Sequence, residues 1–166
     1  KYNSAVEQSG NDEIKTVGVF VNETLDNLVT IAKEVNLDAV QLHGDEDEAF
    51  IQALKEKTDV EVWKAVQICS AADAEAWIDS SADMLLFDAY HKDERGGTGE
   101  VFDWSCLDEF ERPFMLAGGI DSTNVARAIR TVRPYGIDIS SGIETDGVKD
   151  DEKIKAFTNI VRTIAQ

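Results

Sequence analysis

The sequence predicts an α/β fold built on a parallel sheet, and three observations carry that prediction. Short apolar or β-branched runs recur along the 166 residues, six in all: TVGVFV (16–21), DAVQLH (38–43), VEVWKAVQI (60–68), DMLLFD (83–88), PFMLAG (113–118) and GIDIS (136–140). Polar loops and then segments with apolar residues three and four apart follow them, the spacing of a helix covering a sheet face. Strands that alternate with helices pair in parallel through right-handed crossovers. Periodicity alone fits both an open doubly wound sheet and a closed (βα)8 barrel. The length predicts one domain over residues 1–166, since a domain usually takes about 100–200 residues.

The elements are justified in chain order. Residues 1–16, KYNSAVEQSGNDEIKT, have no apolar stripe and read as a loop or the worn end of a helix. After the first run, Leu25, Leu28, Val29 and Ala32 make a helical stripe. In the second run, strand alternation puts Gln41 and His43 on one face and Val40 and Leu42 on the other. Phe50, Ile51 and Leu54 cover the next sheet position, and Lys64 lies within the third run. In DMLLFD the same alternation aligns Met84, Leu86 and Asp88, so a carboxylate closes the strand. The connection AYHKDERGGTGEVFDW (89–104) has no pattern. Loops of that length in compact domains tend to be functional; a plain turn with a helix start at Asp103 is the competing reading. The fifth run breaks at Gly118–Gly119, where Asp121 or Ser122 can cap the following helix. In the sixth, Asp138 and Ser140 share a face. Ile154, Phe157, Val161 and Ile164 form the closing stripe.

Thirty-three acidic against sixteen basic residues give a net charge of −17. Such a field repels nucleic acid and anionic membranes, so neither is expected as a partner. No apolar run approaches the ~20 residues of a membrane helix, and no secretion signal opens the chain, which makes the cytoplasm the expected compartment. Cys69 and Cys106 stand apart without a CxxC or Cys/His cluster, so structural zinc is not expected and both thiols read as inert. Trp63, Trp77 and Trp104 sit in patterned segments and read as core.

Four features point to chemistry. Ligands of parallel α/β folds bind at the C-terminal strand ends, where Asp88 sits with no helix start directly after it to explain it as a cap. The glycine-bearing ends LAGGID and ISSGIE on the last two strands can aim backbone amides at a phosphate without a lysine. Asp138, if buried, needs donors from the protein or from a ligand's hydroxyls. His43 reads equally as a hydrogen-bonded structural histidine or a substrate contact.

VGVFVN, VQLHGDE, LLFDA, GGTGEVFDW, FMLAGGI, NV and GIDISSGIETDGVKD occur in an order that resembles the phosphoribosylanthranilate isomerase family of tryptophan biosynthesis, from about Thr16 onward. The resemblance implies a (βα)8 TIM-type barrel with six of eight βα units present, the third to eighth strands. It implies an Amadori rearrangement of N-(5-phosphoribosyl)anthranilate to 1-(2-carboxyphenylamino)-1-deoxyribulose 5-phosphate, with neither metal nor organic cofactor. Asp88 matches the family's general acid, a role that calls for partial desolvation. Gly118, Gly119, Ser141 and Gly142 match its phosphate-binding amides. Asp138, with Ser140 beside it, matches an acid near the ribose-derived hydroxyls, and His43 holds the QLHG position beside the site.

The family's general base is a cysteine in a KICG-like first-strand motif, and an arginine after its second strand grips the anthranilate carboxylate. Neither motif occurs in these 166 residues. Lys1–Thr16 stand where the second helix leads to the third strand. The expectation is a barrel incomplete at its N-terminal side: part of a longer polypeptide, completed by another chain, or a shortened relative that keeps phosphate binding without turnover. Two rivals remain. One is another sugar-phosphate barrel enzyme, an epimerase or a Schiff-base lyase, for which Lys64 is the candidate unless a neighbouring acid pairs with it. The other is a non-catalytic partial barrel that binds phosphorylated ligands.

Overall fold

The computed structural model describes residues 14–89 and 103–164. The expectation for the N-terminal segment therefore lies outside the described residues up to residue 13, and so does the GGTG loop. Six strands, β1 (Val17–Phe20), β2 (Ala39–Leu42), β3 (Glu61–Gln67), β4 (Met84–Asp88), β5 (Phe114–Ala117) and β6 (Gly136–Ile137), form one sheet in chain order. The pairs with a defined register are parallel. Helices α1 (Leu25–Glu34), α2 (Glu48–Lys57), α3 (Ala71–Glu75) and α4 (Val125–Val132), and a 3-10 helix at Trp104–Leu107, alternate with the strands. A hairpin of β7 (Glu144–Thr145) and β8 (Val148–Lys149) precedes the closing helix α5 (Asp151–Ile164). No helix among the described residues is long and apolar enough to cross a membrane.

The chain divides into two compact units: one takes the described chain up to Lys64 together with Ser81–Asp83, the other Ala65–Ser80 and the described residues from Met84. In the first, β2 is buried along its whole length, and Leu28 and Ala32 of α1 with Ile51 and Leu54 of α2 are also buried. The stripes read from spacing thus bury their central residues. Asp47 caps α2 by accepting the Phe50 amide at 2.9 Å, and lysines close its last turn, where the helix dipole favours them. Asp38 accepts both the amide (2.6 Å) and the hydroxyl (2.7 Å) of Thr16, which fixes where β1 begins beside β2.

In the second unit, Phe87 of β4 meets Phe110 edge-on at 5.0 Å and Phe114 at 5.1 Å on one side of the sheet. Leu86 packs instead with Ala65, Ala117 and Met115. Alternation along β4 is therefore realised as two different cores. Ser70 and Asp73 close a capping box on α3. Trp104 is buried with the Arg127 guanidinium 4.7 Å over its ring, but Trp63 and Trp77 are only half-buried, short of the expected core positions.

The sixth strand is shorter than the run GIDIS suggests. Gly136 and Ile137 pair with Met115 and Leu116, after which β5 ends and turns away at Gly118, whose φ is 89°. With only a Leu116 carbonyl left for the Asp138 amide, at 2.9 Å, the ladder stops. Asp138 and Ser140 lie beyond the strand, so strand alternation does not place them on a common face. Asp138 is also exposed, and the conditional case for a buried acid seeking donors does not apply.

Candidate active site

Asp88 ends β4. Its backbone carbonyl accepts the Ile68 amide at 3.0 Å, and the Ala89 amide donates to Ala117 at 3.2 Å, so the peptides on both sides of the carboxylate-bearing residue are fixed. Register pairs Asp88 with Ala117 and Leu86 with Met115. Because residues two apart on a strand share a face, Asp88 emerges on the side of the Leu86–Ala65–Ala117 cluster, opposite the phenylalanines. It is half-buried.

Directly after β5, Gly118 and Gly119 both take positive φ, 89° and 60°. Side chains are disfavoured there, and a Cβ on Gly119 would meet nothing within 4 Å, so backbone shape rather than crowding requires glycine at that position. Asp121 then organises the turn. Its Oδ1 accepts the amides of Thr123 (2.7 Å) and Asn124 (3.2 Å), while its own amide donates to the Asn124 side chain at 3.0 Å. Neither expected residue caps the helix: the N-cap position is Asn124, without a side-chain cap hydrogen bond, and α4 starts at Val125, because Asp121 spends its carboxylate on the turn that precedes it.

Gly142 is glycine for a different reason. A Cβ there would lie 2.1 Å from the Ile120 carbonyl oxygen and 3.1 Å from Asp121 Cα, so the loop after β5 presses on the short 3-10 helix Ser141–Ile143. The two glycine-bearing strand ends therefore meet, which spacing alone did not establish. Among the described residues, no backbone partner takes the amides of Gly118, Gly119, Ser141 or Gly142. Lys149, a residue that sequence reasoning passed over, donates to the Ser140 carbonyl (2.9 Å) and hydroxyl (3.2 Å) and to Glu144 (2.6 Å). The Asp146–Gly147 dipeptide, a hairpin-turn pair between Thr145 and Val148, was the available sequence signal that Lys149 folds back.

His43 belongs to the first unit. It is exposed just past β2, and its Nδ1 is 2.9 Å from Nε2 of buried Gln41, so the shared face expected for this pair is real. Lys64 is 3% exposed and donates to the Gly44 carbonyl (2.6 Å) and to Glu46 (3.2 Å). A lysine spent on a buried carboxylate and a carbonyl is not a Schiff-base nucleophile.

The Cys106 thiol is unsuited to base chemistry. Burial, then the negative charge of Asp103, pushes the Cys106 thiol above its ordinary range; it is half-buried in a 3-10 helix rather than fully buried. Cys69 is exposed. No group of three or more metal-ligating side chains occurs among the described residues.

A family model described as N-(5'phosphoribosyl)anthranilate (PRA) isomerase matches residues 2–160. The N-(5'-phosphoribosyl)anthranilate isomerase of Endomicrobium trichonymphae is 46% identical over 153 residues, covering 92% of this chain and 75% of the relative. The crystal structure of phosphoribosyl anthranilate isomerase from Thermotoga maritima superposes with a TM-score of 0.81 at 34% identity, over 96% of this chain and 78% of that one. A second Thermotoga maritima structure, described as mutually generated monomers of the dimeric enzyme, gives 0.75 at 32% identity, over 98% and 79%. A half-buried acid and two touching glycine loops, on a parallel α/β scaffold shared with these enzymes, agree with what the matches say: the chain belongs to the N-(5'-phosphoribosyl)anthranilate isomerase family.

Proposed function

We propose that this chain carries the chemistry of its family, the Amadori rearrangement of N-(5'-phosphoribosyl)anthranilate, and that its six parallel strands are the third to eighth of a (βα)8 barrel domain spanning residues 1–166. The observation that carries the reading is the second unit's rim, where Asp88 leaves the sheet on the Leu86 face and the Gly118–Gly119 loop closes against Gly142. Substrate phosphate is held by the amides of Gly118, Gly119, Ser141 and Gly142. Asp138 and Ser140, exposed beside that cradle, receive the ribose-derived hydroxyls. His43 is assigned a substrate contact by its place in the QLHG motif.

Asp88 donates its proton to the furanose ring oxygen, the C1–O bond breaks, and the anthranilate nitrogen's lone pair forms the C1=N bond of an imine. From this protonated imine, removal of the C2 proton moves the C–H electron pair into a C1=C2 bond and returns the C1=N pair to nitrogen, giving an enolamine; protonation at C1 with loss of the C2 hydroxyl proton leaves the ketone. Each positioned proton transfer supplies roughly 10²–10⁴-fold. The base that takes the C2 proton is assigned to neither Cys69 nor Cys106, because the family's base sits in a motif that these residues do not contain. The enzyme works in the cytoplasm, and the dimeric Thermotoga relative supports a homo-oligomer.

The test follows the loss of phosphoribosylanthranilate fluorescence with this chain alone and with an added fragment carrying the family's first two strands. Turnover in either mixture, abolished by Asp88→Asn, is the expected result. No turnover in both, with phosphorylated ligands still bound, would favour the non-catalytic partial barrel. The Schiff-base lyase reading is not favoured, since Lys64 is already engaged.

A further inference from the structure

Two motifs, VFVN and QLHGDE, of which the proposed chemistry uses only His43, meet in the first unit around one buried carboxylate. Glu46 Oε1 accepts the Asn22 amide at 2.7 Å, and its Oε2 accepts the Gly44 amide at 2.9 Å and the Lys64 ammonium at 3.2 Å. Lys64 Nζ also donates to the Gly44 carbonyl at 2.6 Å. The peptide planes on both sides of Gly44 are thus pinned, one by the acid and the other by the base of the same ion pair, with both side chains 3% exposed. Asn22 adds a second tie to the same loop. Its side chain accepts the Asp45 amide at 2.7 Å and donates to the Asp45 carboxylate at 3.1 Å. Gly44 has no room for anything larger: a Cβ would lie 2.3 Å from Asn22 Oδ1 and 2.7 Å from Asn22 N.

A buried ion pair is a costly way to hold a loop, because two apolar residues of similar size usually serve stability as well or better. What apolar residues cannot do is fix two successive peptides by hydrogen bonds. The residue whose direction those peptides set is His43, one position before Gly44. The side-chain amide nitrogen of Gln41 only donates, so Nδ1 of His43 accepts, and the neutral ring carries its proton on Nε2.

We propose that Glu46 and Lys64 are positioning residues: by clamping Gly44 from both sides and drawing in Asn22, they hold His43 in the orientation and tautomer with which it donates to the substrate. The assignment of the substrate as the acceptor rests on the isomerase reading. The clamp itself does not.

The experiment uses the full chain with 15N-labelled histidine. The sequence has only two histidines, so His91→Gln assigns the His43 ring. In the parent, the two His43 ring nitrogens are expected at well-separated shifts, one deprotonated and one protonated. In Glu46→Met/Lys64→Met, which removes the clamp and fills its volume but leaves the Asn22 and Gly44 amides and the Gly44 carbonyl without these partners, the thermal midpoint is expected to fall less than in Glu46→Ala. The two nitrogen signals, however, should draw together as the tautomers mix, and the dissociation constant for a reduced product analogue should rise by about tenfold or more. Inorganic phosphate, which reads only the glycine amides, should bind both proteins alike. Ring signals and analogue affinity unchanged in the double variant would overturn the proposal, as would their changing only in proportion to a lost midpoint. If the double variant does not fold, Glu46→Gln, which keeps the shape and removes the charge, decides by the same ring signals. An analogue that does not bind even the parent would count against the isomerase reading, while the ring signals would still judge the clamp.

Discussion

The strand ends of the two units are built from the same βα repeat and are finished in opposite ways. In the first, the loops after β1 and β2 turn their polar groups on one another: Glu46 takes two backbone amides, and Lys64 takes a carbonyl. In the second, glycines at 118, 119 and 142 remove the side chains that could have done the same, and their amides are left without a backbone partner among the described residues. One rim spends its hydrogen bonds on itself; the other, on the proposed function, keeps them for the substrate's phosphate. A buried polar group must be paired, so the first arrangement gives rigidity, whereas exposed amides at a glycine turn can wait for a ligand without penalty. The contrast comes from a handful of residues rather than from the architecture.

Four changes would break or sharpen that contrast. The largest effect is expected for Asp88→Asn, which should lower turnover by about 10²–10⁴-fold and leave phosphate binding untouched, measured by fluorescence and by titration with inorganic phosphate. Glu46→Ala strands the Lys64 ammonium in a buried site and should cost about 3–5 kcal/mol in denaturant unfolding, a penalty that no glycine loop of the second unit carries. At Gly142, alanine drives its methyl into the Ile120 carbonyl, so the variant should lose about 1–3 kcal/mol of stability and most phosphate affinity. Gly119→Ala, with open space but a φ of 60°, should lose only about 1 kcal/mol.

The smallest effect is electrostatic. Burial pushes the Glu46 carboxyl up, but its own backbone amide, the Asn22 amide and the Lys64 ammonium outweigh this and hold it below its ordinary value of 4.5. A depressed folded value means that its contribution is complete above that ordinary value and is lost as the pH falls through the folded one. Thermal midpoints recorded from about pH 6 to pH 3 should therefore fall less steeply in Glu46→Gln than in the parent.

Much of this was legible before any coordinates. The six strand runs fall on β1 to β6, because half-buried strands and helical stripes are written in apolar spacing. Asp88 was legible as a strand-end carboxylate, since alternation is a local property. The end of β6 was not, because a strand stops where its neighbour leaves, and β5 leaves at Gly118. Glu46 escaped notice because a lone glutamate in a polar loop reads as solvated surface. Its burial depends on Lys64, eighteen residues on.

The sequence by itself determined the βα order, the faces of β2 and β4, and the positions where only glycine tolerates the backbone, for these follow from local sterics and apolar periodicity. Only the tertiary structure decided which loops touch: that Gly142 closes on Ile120, and that Asn22, Gly44, Glu46 and Lys64 share one buried site. Contacts between residues far apart in the chain depend on how whole elements pack, and no local pattern encodes the distance between two loops.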